Sequence, residues 1–216
     1  MESTLRRGSG APGLRLIETL GWNGALFARQ DLHLARLARA AAMLGWACDV
    51  DAAQVALTNA VGAVPLRVRL TLDALGKVDV TVAAMPAHTA QWRVGLAAAR
   101  LLAGDPWLSV KSTNRAIYDQ ARANLAAGLD EVIFQNERGE VCDGSITSVF
   151  FDAGQGLCTP PLACGLLPGV LRAEMLATGK AREAVLHAAD LGRVQLWVGN
   201  SLRGLIPAVF VHQIGT

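Results

Sequence analysis

The sequence has few aromatic residues and no apolar run long enough to cross a membrane. Aromatic residues make up 5% of the 216 positions. Apolar residues never continue without interruption for the roughly 18 positions that a membrane-spanning helix requires. The net charge of +2 is spread along the chain without a basic block. We therefore expect neither a nucleic-acid-binding surface nor a membrane segment.

Cysteine and histidine are too scattered to indicate a metal site. Cys48, Cys142, Cys158 and Cys164 lack the paired short spacing of zinc and redox sites. The four histidines also show no ligand spacing. We expect reduced thiols and no metal. The first twelve residues are polar and glycine-rich, without the apolar segment of a secretory signal, so the cytoplasm is the expected location.

The composition favours a globular chain with two lobes. Apolar residues make up 52% and charged residues 18% of the sequence, which is typical of folded proteins. The length exceeds the ~100–150 residues of a common single domain. The patterns predict a small α+β lobe over residues 1–84, a linker over residues 85–91 and a larger lobe over residues 92–216.

Local patterns in the first lobe predict a hairpin, two helices and two further strands. The turn at Asn23-Gly24 is typical of a β-hairpin between residues 14–20 and 25–28. A helix is expected from a cap at Asp31 to Leu44, where Gly45 ends it. The other elements are a helix over residues 52–61 and alternating strands over residues 66–72 and 78–82.

The second lobe is predicted to mix strands with two helices. One helix covers residues 115–127 and ends at Gly128, and another begins after Leu167-Pro168-Gly169 and reaches about residue 177. Strands are expected over residues 131–134, 148–151, 184–186 and 194–198.

Lys111 is a candidate Schiff-base nucleophile. Such a lysine needs a desolvated setting that lowers its pKa, and Lys111 follows the largely apolar run Trp107-Leu108-Ser109-Val110. By its local context alone, a solvated surface lysine is the more common alternative. The residues that follow in the chain favour the nucleophile, because they supply an acid at Asp143 and a helix start after Gly169.

These groups match the needs of pyridoxal phosphate. Asp143 can pair with the ring nitrogen and keep it protonated, which makes the ring an electron sink. The N–H groups of Val170 and Leu171 at the helix start can bind the phosphate. Arg36 can add a charge-assisted bond to the same phosphate, and Ser201 a hydroxyl. The alternative for Arg36 is an arginine on the helix surface without a role in binding, and the alternative for Ser201 is a structural hydroxyl in a turn.

Taken in order, several motifs resemble one enzyme family. They are Leu16 to Leu20, His33 to Leu37, Lys111 to Arg115, Gly139 to Phe151, Thr159 to Pro161, Leu166 to Arg172, and Asn200 to Gly204. From about Leu16 to Phe210 the chain resembles the fold-type IV pyridoxal-phosphate enzymes, or class IV aminotransferases.

The resemblance implies the two-lobe α+β fold of the D-amino-acid and branched-chain aminotransferases, with a small α+β lobe and a larger barrel-like lobe. It also implies a homodimer, a small-molecule substrate, and a Schiff base between Lys111 and pyridoxal 5'-phosphate.

A narrower resemblance is to the 4-amino-4-deoxychorismate lyases, which release pyruvate to give 4-aminobenzoate in folate biosynthesis. It is carried by Asn114-Arg115, Gly165 to Gly169 and Asn200 to Gly204. It implies that Arg115 lies beside the cofactor ring oxygen and that Arg203 meets a substrate carboxylate. A structural loop arginine is the alternative for Arg203.

Two other functions remain open from the sequence. The first is a class IV aminotransferase acting on branched-chain or D-amino acids, and the second is a non-catalytic binding module on the same fold. The family usually has glutamate where this chain has Asp143, and the shorter acid must approach the ring nitrogen more closely or act through water. Ser148 likewise stands where relatives commonly have asparagine.

Overall fold

The computed structural model describes residues 4–212, which form two compact units. One unit runs from the start of the described chain to Ala87 and includes Val110–Asn114, and the other comprises His88–Ser109 and the residues from Arg115 onward. The segment Val110–Asn114 belongs to the first unit because its backbone forms hydrogen bonds with the backbone of Arg15 and Ile17. Ile17 N donates to Lys111 O over 2.8 Å. The functional division into lobes and a linker at residues 85–91 stays a prediction.

The first unit is a three-stranded antiparallel sheet with three helices. The strands lie in the order β1, β2, β3. Buried and exposed positions alternate along much of β2, so that Val68 and Leu70 are buried while Arg67 and Arg69 face solvent. The elements are α1 (Thr4–Gly8), β1 (Leu16–Trp22), α2 (Gln30–Leu44), α3 (Val50–Asn59), β2 (Leu66–Leu72) and β3 (Val78–Ala84).

The predicted hairpin at Asn23-Gly24 is confirmed only in part, because the chain reverses at this turn but the second predicted strand does not form. In the described chain, residues 25–28 form no strand and contribute one isolated bridge, between Trp22 and Phe27. Asn23 Oδ1 accepts from the N–H groups of Ala25 and Leu26 at 2.9 and 2.8 Å, which closes a compact turn. The antiparallel partner of β1 is the distant strand β2.

Helices α2 and α3 agree with the sequence patterns apart from one cap, whereas α1 was not predicted. Gly45 ends α2 with φ 74, as expected. At its start, Arg29 occupies the N-cap with φ 57, and Asp31 lies in the first turn, so the predicted Asp31 cap is wrong. Asp49 caps α3 by accepting from Ala52 N at 2.9 Å.

The second unit is built around a sheet that closes on itself. Among the described residues, eight strands follow the order β10-β11-β4-β5-β6-β7-β8-β9, and β10 also pairs with β7. The strands are β4 (Trp92–Leu101), β5 (Glu131–Asn136), β6 (Val141–Gly144), β7 (Ser148–Asp152), β8 (Cys158–Thr159), β9 (Arg182–Glu183), β10 (Gln195–Asn200) and β11 (Gly204–Phe210). The helices are α4 (Ala116–Ala123) and α5 (Val170–Ala177).

The interior of this unit is apolar, with Ile133, Val149 and Val198 in one core cluster. Strands β5, β7 and β10 and helix α5 confirm the predictions, whereas α4 ends at Ala123, before the predicted limit. The predicted strand at residues 184–186 is wrong, since the strand lies at Arg182–Glu183.

These two units confirm the predicted two-lobe α+β class. In the part of the chain from residue 4 to residue 212, no helix has the length and apolar character to span a bilayer.

Candidate active site

Asp143 lies at the end of β6, and both oxygens of its carboxylate accept hydrogen bonds. The residue is 5% exposed. Tyr118 Oη donates to Asp143 Oδ1 at 3.4 Å, and Leu167 N donates to Asp143 Oδ2 at 3.1 Å. These two donors come from α4 and from the loop before α5. They hold the acid in one orientation.

Tyr118 was not among the residues predicted from the sequence. Its ring packs edge-on against Phe134, with the centroids 4.9 Å apart. Burial and the negative charge of Asp143 raise the pKa of Tyr118 well above its usual range, so its hydroxyl stays protonated and remains a donor. A signal was available, because Tyr118 is the only tyrosine of the chain and lies three residues after Arg115.

Arg115 lies beside this acid in the second unit. Its Nη2 donates to Ser145 O at 2.8 Å and its Nε to Asp119 Oδ1 at 2.8 Å. The guanidinium carbon is 5.6 Å from the centroid of the Tyr118 ring. Arg115 is thus held next to the turn that follows Asp143, so the structure brings these two predicted residues into one neighbourhood.

Helix α5 begins with the predicted phosphate-binding residues. Gly169 is its N-cap, and Val170 and Leu171 are its first two residues, both buried. The N–H groups of a first helical turn have no partner within the helix, and they lie at the positive end of its dipole. A Cβ at Gly169 would collide with Ser148 Oγ, so glycine and serine permit the close approach of α5 to β7.

The turn between β10 and β11 carries Ser201, which is buried. Asn200 shapes this turn, because its Oδ1 accepts from the N–H groups of Leu202 and Arg203 at 3.1 and 3.0 Å. Its Nδ2 donates to Ile146 O at 3.1 Å. The role of Asn200 as the organiser of the turn was not predicted.

Gly199 brings this turn close to the start of α5. A Cβ at Gly199 would lie 2.9 Å from Leu171 Cδ2 and 2.5 Å from Gly204 O. Only glycine permits this approach. The structure therefore places the end of β10, just before Ser201, next to the side chain of Leu171, and the shared phosphate site stays a prediction.

Arg203 lies over an aromatic ring. Its guanidinium carbon is 5.2 Å from the centroid of Trp92, which is buried at the start of β4. Such a cation–π contact contributes about 0.5–2 kcal/mol and limits the motion of the side chain. Arg203 is half-buried.

In the first unit, Arg36 is paired with a buried carboxylate that was not predicted as functional. Arg36 Nε and Nη2 lie 2.8 and 2.6 Å from Glu18 Oε1 and Oε2, and His33 Nδ1 is 2.6 Å from Oε2. Burial alone would raise the pKa of Glu18, but Arg36 and His33 outweigh it and lower the pKa to about 2. The pair fixes the direction of the guanidinium, which has five N–H donors.

Lys111 lies on an extended segment of the same unit. Its neighbour Ser112 forms an isolated bridge with Leu16, and Thr113 N donates to Arg15 O at 2.9 Å. Lys111 is half-buried. That Lys111 and Arg36 act on the same cofactor as Asp143 stays a prediction.

The residues of the second unit fit pyridoxal phosphate. A buried, oriented acid matches a pyridine nitrogen, and a helix start beside a buried hydroxyl matches a phosphate. The glycines at 169 and 199 supply the close backbone approach that such a cradle needs. Between residues 4 and 212, no group of three or more His, Cys, Asp or Glu side chains has the arrangement of a metal site.

Comparisons with known proteins agree with this chemistry. Residues 15–210 match the model of the amino-transferase class IV family. A Schizosaccharomyces pombe protein named "Putative aminodeoxychorismate lyase" is 31% identical over 193 residues, which cover 83% of this chain and 78% of that protein. The Bacillus subtilis "Aminodeoxychorismate lyase" is 32% identical over 94 residues, or 39% of this chain and 31% of that one.

A solved structure extends the similarity to the whole fold. The Mesorhizobium loti "Putative amino-acid aminotransferase" is 45% identical, covers 92% of this chain and 100% of its own, and superposes with a TM-score of 0.87. The chain therefore belongs to the amino-transferase class IV family and is a pyridoxal-phosphate-dependent enzyme.

Proposed function

We propose that this enzyme is a 4-amino-4-deoxychorismate lyase, which eliminates pyruvate from its substrate and leaves 4-aminobenzoate. The observation that carries the proposal is that two relatives of 31% and 32% identity both bear the name of this activity. The more extensive match covers 83% of this chain. The reaction belongs to folate biosynthesis, and it needs no second substrate.

Pyridoxal phosphate supplies an electron sink when it is bound. Lys111 would hold it covalently, and Asp143 would pair with its ring nitrogen. Arg115 would lie at the ring oxygen. The phosphate would be held by the N–H groups of Val170 and Leu171, together with Arg36 and Ser201.

Lys111 has a second role in this proposal, as the base. Lys111 Nζ would remove the proton from the amine-bearing carbon of the substrate. The neighbouring enolpyruvyl group would then leave, take up a proton and become pyruvate, which would make the six-membered ring of the substrate aromatic. Aromatisation would make this step effectively irreversible.

Arg203 would bind a carboxylate of the substrate. A guanidinium binds a carboxylate through two parallel hydrogen bonds, and the contact with Trp92 limits its orientation before the substrate arrives. The turn that carries Arg203 also carries Ser201, so phosphate and substrate would be held by the same short segment.

The short acid at Asp143 is compatible with this role because its environment holds it. Tyr118 and the N–H of Leu167 orient both carboxylate oxygens. A carboxylate held in one orientation would present a fixed oxygen to the ring nitrogen of the cofactor.

A class IV aminotransferase is the second candidate. The 45% identity to the Mesorhizobium loti protein, whose name describes an amino-acid aminotransferase, favours it. The same lysine would serve in both reactions, so the products decide between them. Membership of the family supports an enzyme rather than a non-catalytic module on the same fold.

The test is a product analysis. The purified protein is incubated with pyridoxal phosphate and 4-amino-4-deoxychorismate, and pyruvate and 4-aminobenzoate are quantified. Parallel reactions combine branched-chain and D-amino acids with 2-oxoglutarate or pyruvate. The lyase is supported by equal amounts of the two elimination products. Transfer of an amino group to the keto acid, without elimination, would establish the aminotransferase instead.

We also propose that the enzyme is a homodimer in the cytoplasm, as the family resemblance implies. The molar mass in solution, measured by light scattering, tests the first statement. A mass of a single 22.7 kDa chain would contradict it.

A further inference from the structure

Glu131, at the start of β5, is a carboxylate with no exposed surface. Burying a carboxylate is costly unless hydrogen bonds replace its water. Here Oε1 accepts from Val132 N and Ser145 N, both at 3.0 Å, and from Ser145 Oγ. Oε2 accepts from Ile146 N at 3.1 Å and from Thr147 Oγ1 at 3.0 Å.

Four of these five donors belong to one turn, the segment Ser145–Thr147 that joins β6 to β7. The turn is closed by Gly144 N, which donates to Thr147 O at 2.7 Å. A Cβ at Gly144 would lie 2.9 Å from Glu131 Oε2 and would collide with Thr147 Oγ1. The turn therefore encloses the carboxylate so closely that only glycine fits at position 144, immediately before it.

This turn connects the two groups proposed to act on the cofactor ring. Only Gly144 separates Asp143 from the turn, and Arg115 Nη2 donates to Ser145 O within it. Arg122 adds a positive charge 3.7 Å from Glu131 Oε1. A change in the shape of the turn would move the carboxylate of Asp143 and the guanidinium of Arg115 together.

We infer that Glu131 is a positioning residue, which sets the geometry of Asp143 and Arg115 at the cofactor ring by folding the Ser145–Thr147 turn around its carboxylate. This inference rests on the cofactor role proposed for Asp143 and is independent of the substrate. Glu131 would contact neither the cofactor nor the reacting atoms, since its carboxylate is enclosed by the turn.

Glu131→Gln is the informative change because it preserves the size of the side chain. An ionised carboxylate only accepts, whereas an amide offers one oxygen acceptor and an NH2 group with two donors. The amide nitrogen would face donors of the turn, so that Ile146 N and Thr147 Oγ1, or Ser145, would lose their acceptor. The turn would open, and Asp143 would lose its orientation.

Glu140→Gln is the matched control. Glu140 lies immediately before β6, where it accepts from Asn136 Nδ2 at 2.8 Å and from Arg138 Nη2 at 2.6 Å. This substitution removes the same charge from another hydrogen-bonded carboxylate in the same hairpin. It leaves the Ser145–Thr147 turn unchanged, so it reports loss of stability without loss of positioning.

Two measurements distinguish positioning from stability. The first is the Kd of the apoprotein for pyridoxal phosphate, which should rise about tenfold or more in Glu131→Gln because an oriented partner of the ring is lost. The second is the pH midpoint, at which the absorbance of the bound cofactor is halfway between its values for the protonated and deprotonated Schiff base. It should move upward, because a less positive ring nitrogen favours a proton on the nearby Schiff-base nitrogen.

Asp143→Asn calibrates these readouts. The inference is supported if Glu131→Gln shifts the Kd and the midpoint in the same direction as Asp143→Asn while Glu140→Gln shifts neither. It is overturned if Glu131→Gln retains the wild-type values or matches Glu140→Gln. If Asp143→Asn itself shifts nothing, the proposed role of Asp143 fails, and this inference fails with it.

Milder variants decide the matter if Glu131→Gln does not fold. Ser145→Ala and Thr147→Val each remove one hydroxyl donor of the carboxylate and keep the charge. Both should shift the midpoint upward by a smaller amount. If both variants keep the wild-type pH midpoint, the inference is overturned, even when Glu131→Gln itself cannot be measured.

Discussion

Tyr118 Oη donates to Asp143 Oδ1 at 3.4 Å, so the only tyrosine of the chain contacts the acid proposed to pair with the cofactor ring. The two residues are 25 positions apart in the sequence and meet because α4 packs on the sheet that carries β6. Since burial and Asp143 raise the pKa of Tyr118, the donor persists across the physiological pH range.

Tyr118→Phe removes this donor and keeps the ring. A net hydrogen bond to a charged group contributes about 1.5–3 kcal/mol, and the long distance here suggests the lower end of that range. We expect a loss of about 1.5 kcal/mol in unfolding free energy, measured in urea, and a shifted absorbance of the bound cofactor. Thr58→Ala, which removes a hydroxyl from α3, should leave that absorbance unchanged. A wild-type spectrum for Tyr118→Phe would contradict the role of the donor.

Asp143→Glu introduces the acid that the family usually has. Because Asp143 is buried and its oxygens already contact Tyr118 and Leu167 N, an added methylene should overpack the site. The expected cost is about 1–3 kcal/mol in unfolding free energy. Asp119→Glu on the exposed side of α4 is the control. Unchanged stability of Asp143→Glu would show that the site accepts the longer acid.

Glu18→Gln should weaken the protein in a pH-dependent way. The pKa of Glu18 is about 2 in the folded state, below its usual 4.5, so the pair with Arg36 stabilises the fold above about pH 4.5. That contribution, roughly 3 kcal/mol, is lost as the pH falls from about 4.5 to about 2. The difference in unfolding free energy between wild type and Glu18→Gln should shrink over this interval.

The measurement is urea unfolding at a series of pH values. Asp31→Asn, an exposed acid on the same helix, should show no comparable trend. At neutral pH the Gln variant should lose about 3–5 kcal/mol, because Arg36 is left buried without its counter-charge. A difference that does not vary with pH would mean that the Glu18 charge does not contribute in this way.

Lys111→Ala should abolish covalent attachment of the cofactor. Borohydride reduction of the wild-type holoenzyme should fix the cofactor on the peptide that contains Lys111, as read by mass spectrometry. Lys77→Ala is the control, since Lys77 is exposed beside Asp79 in the first unit. Attachment at another lysine, or retained attachment in Lys111→Ala, would refute the assignment.

The cysteines should differ in reactivity in a defined order. All four are free thiols. Cys142 and Cys164 are buried, and burial raises the pKa of Cys142 well above its usual range and that of Cys164 to about 11. Because the thiolate is the reactive form, both should resist iodoacetamide at pH 8 until the protein is denatured.

Cys48 is the comparison within the same sample. Burial and Asp49 raise its pKa as well, but Cys48 is partly exposed while the other three thiols are buried, so it should be alkylated before them. Peptide mass spectrometry over time gives the order. Modification of Cys142 in the native protein at the rate of Cys48 would contradict its buried position.

Local sequence patterns correctly predicted the helices and strands whose formation depends on residues close together in the chain. The alternation in β2, the stop at Gly45 and the start of α5 after Gly169 depend on backbone geometry and side-chain period within a few positions. Elements that depend on distant partners were missed. Strand β11 contains Pro207, which weakened its pattern, and it is held by pairing with β10 and β4.

The sequence alone determined the family and the order of its chemical groups, because motifs such as the one around Lys111 are read along the chain. Only the tertiary structure decided how Asp143 is held. Its partners Tyr118 and Leu167, and the carboxylate of Glu131 beneath the following turn, lie 12 to 25 positions away in the chain. Patterns of neighbouring residues do not determine which distant side chains meet, since these contacts follow from the packing of α4, β5 and the α5 loop around one buried acid.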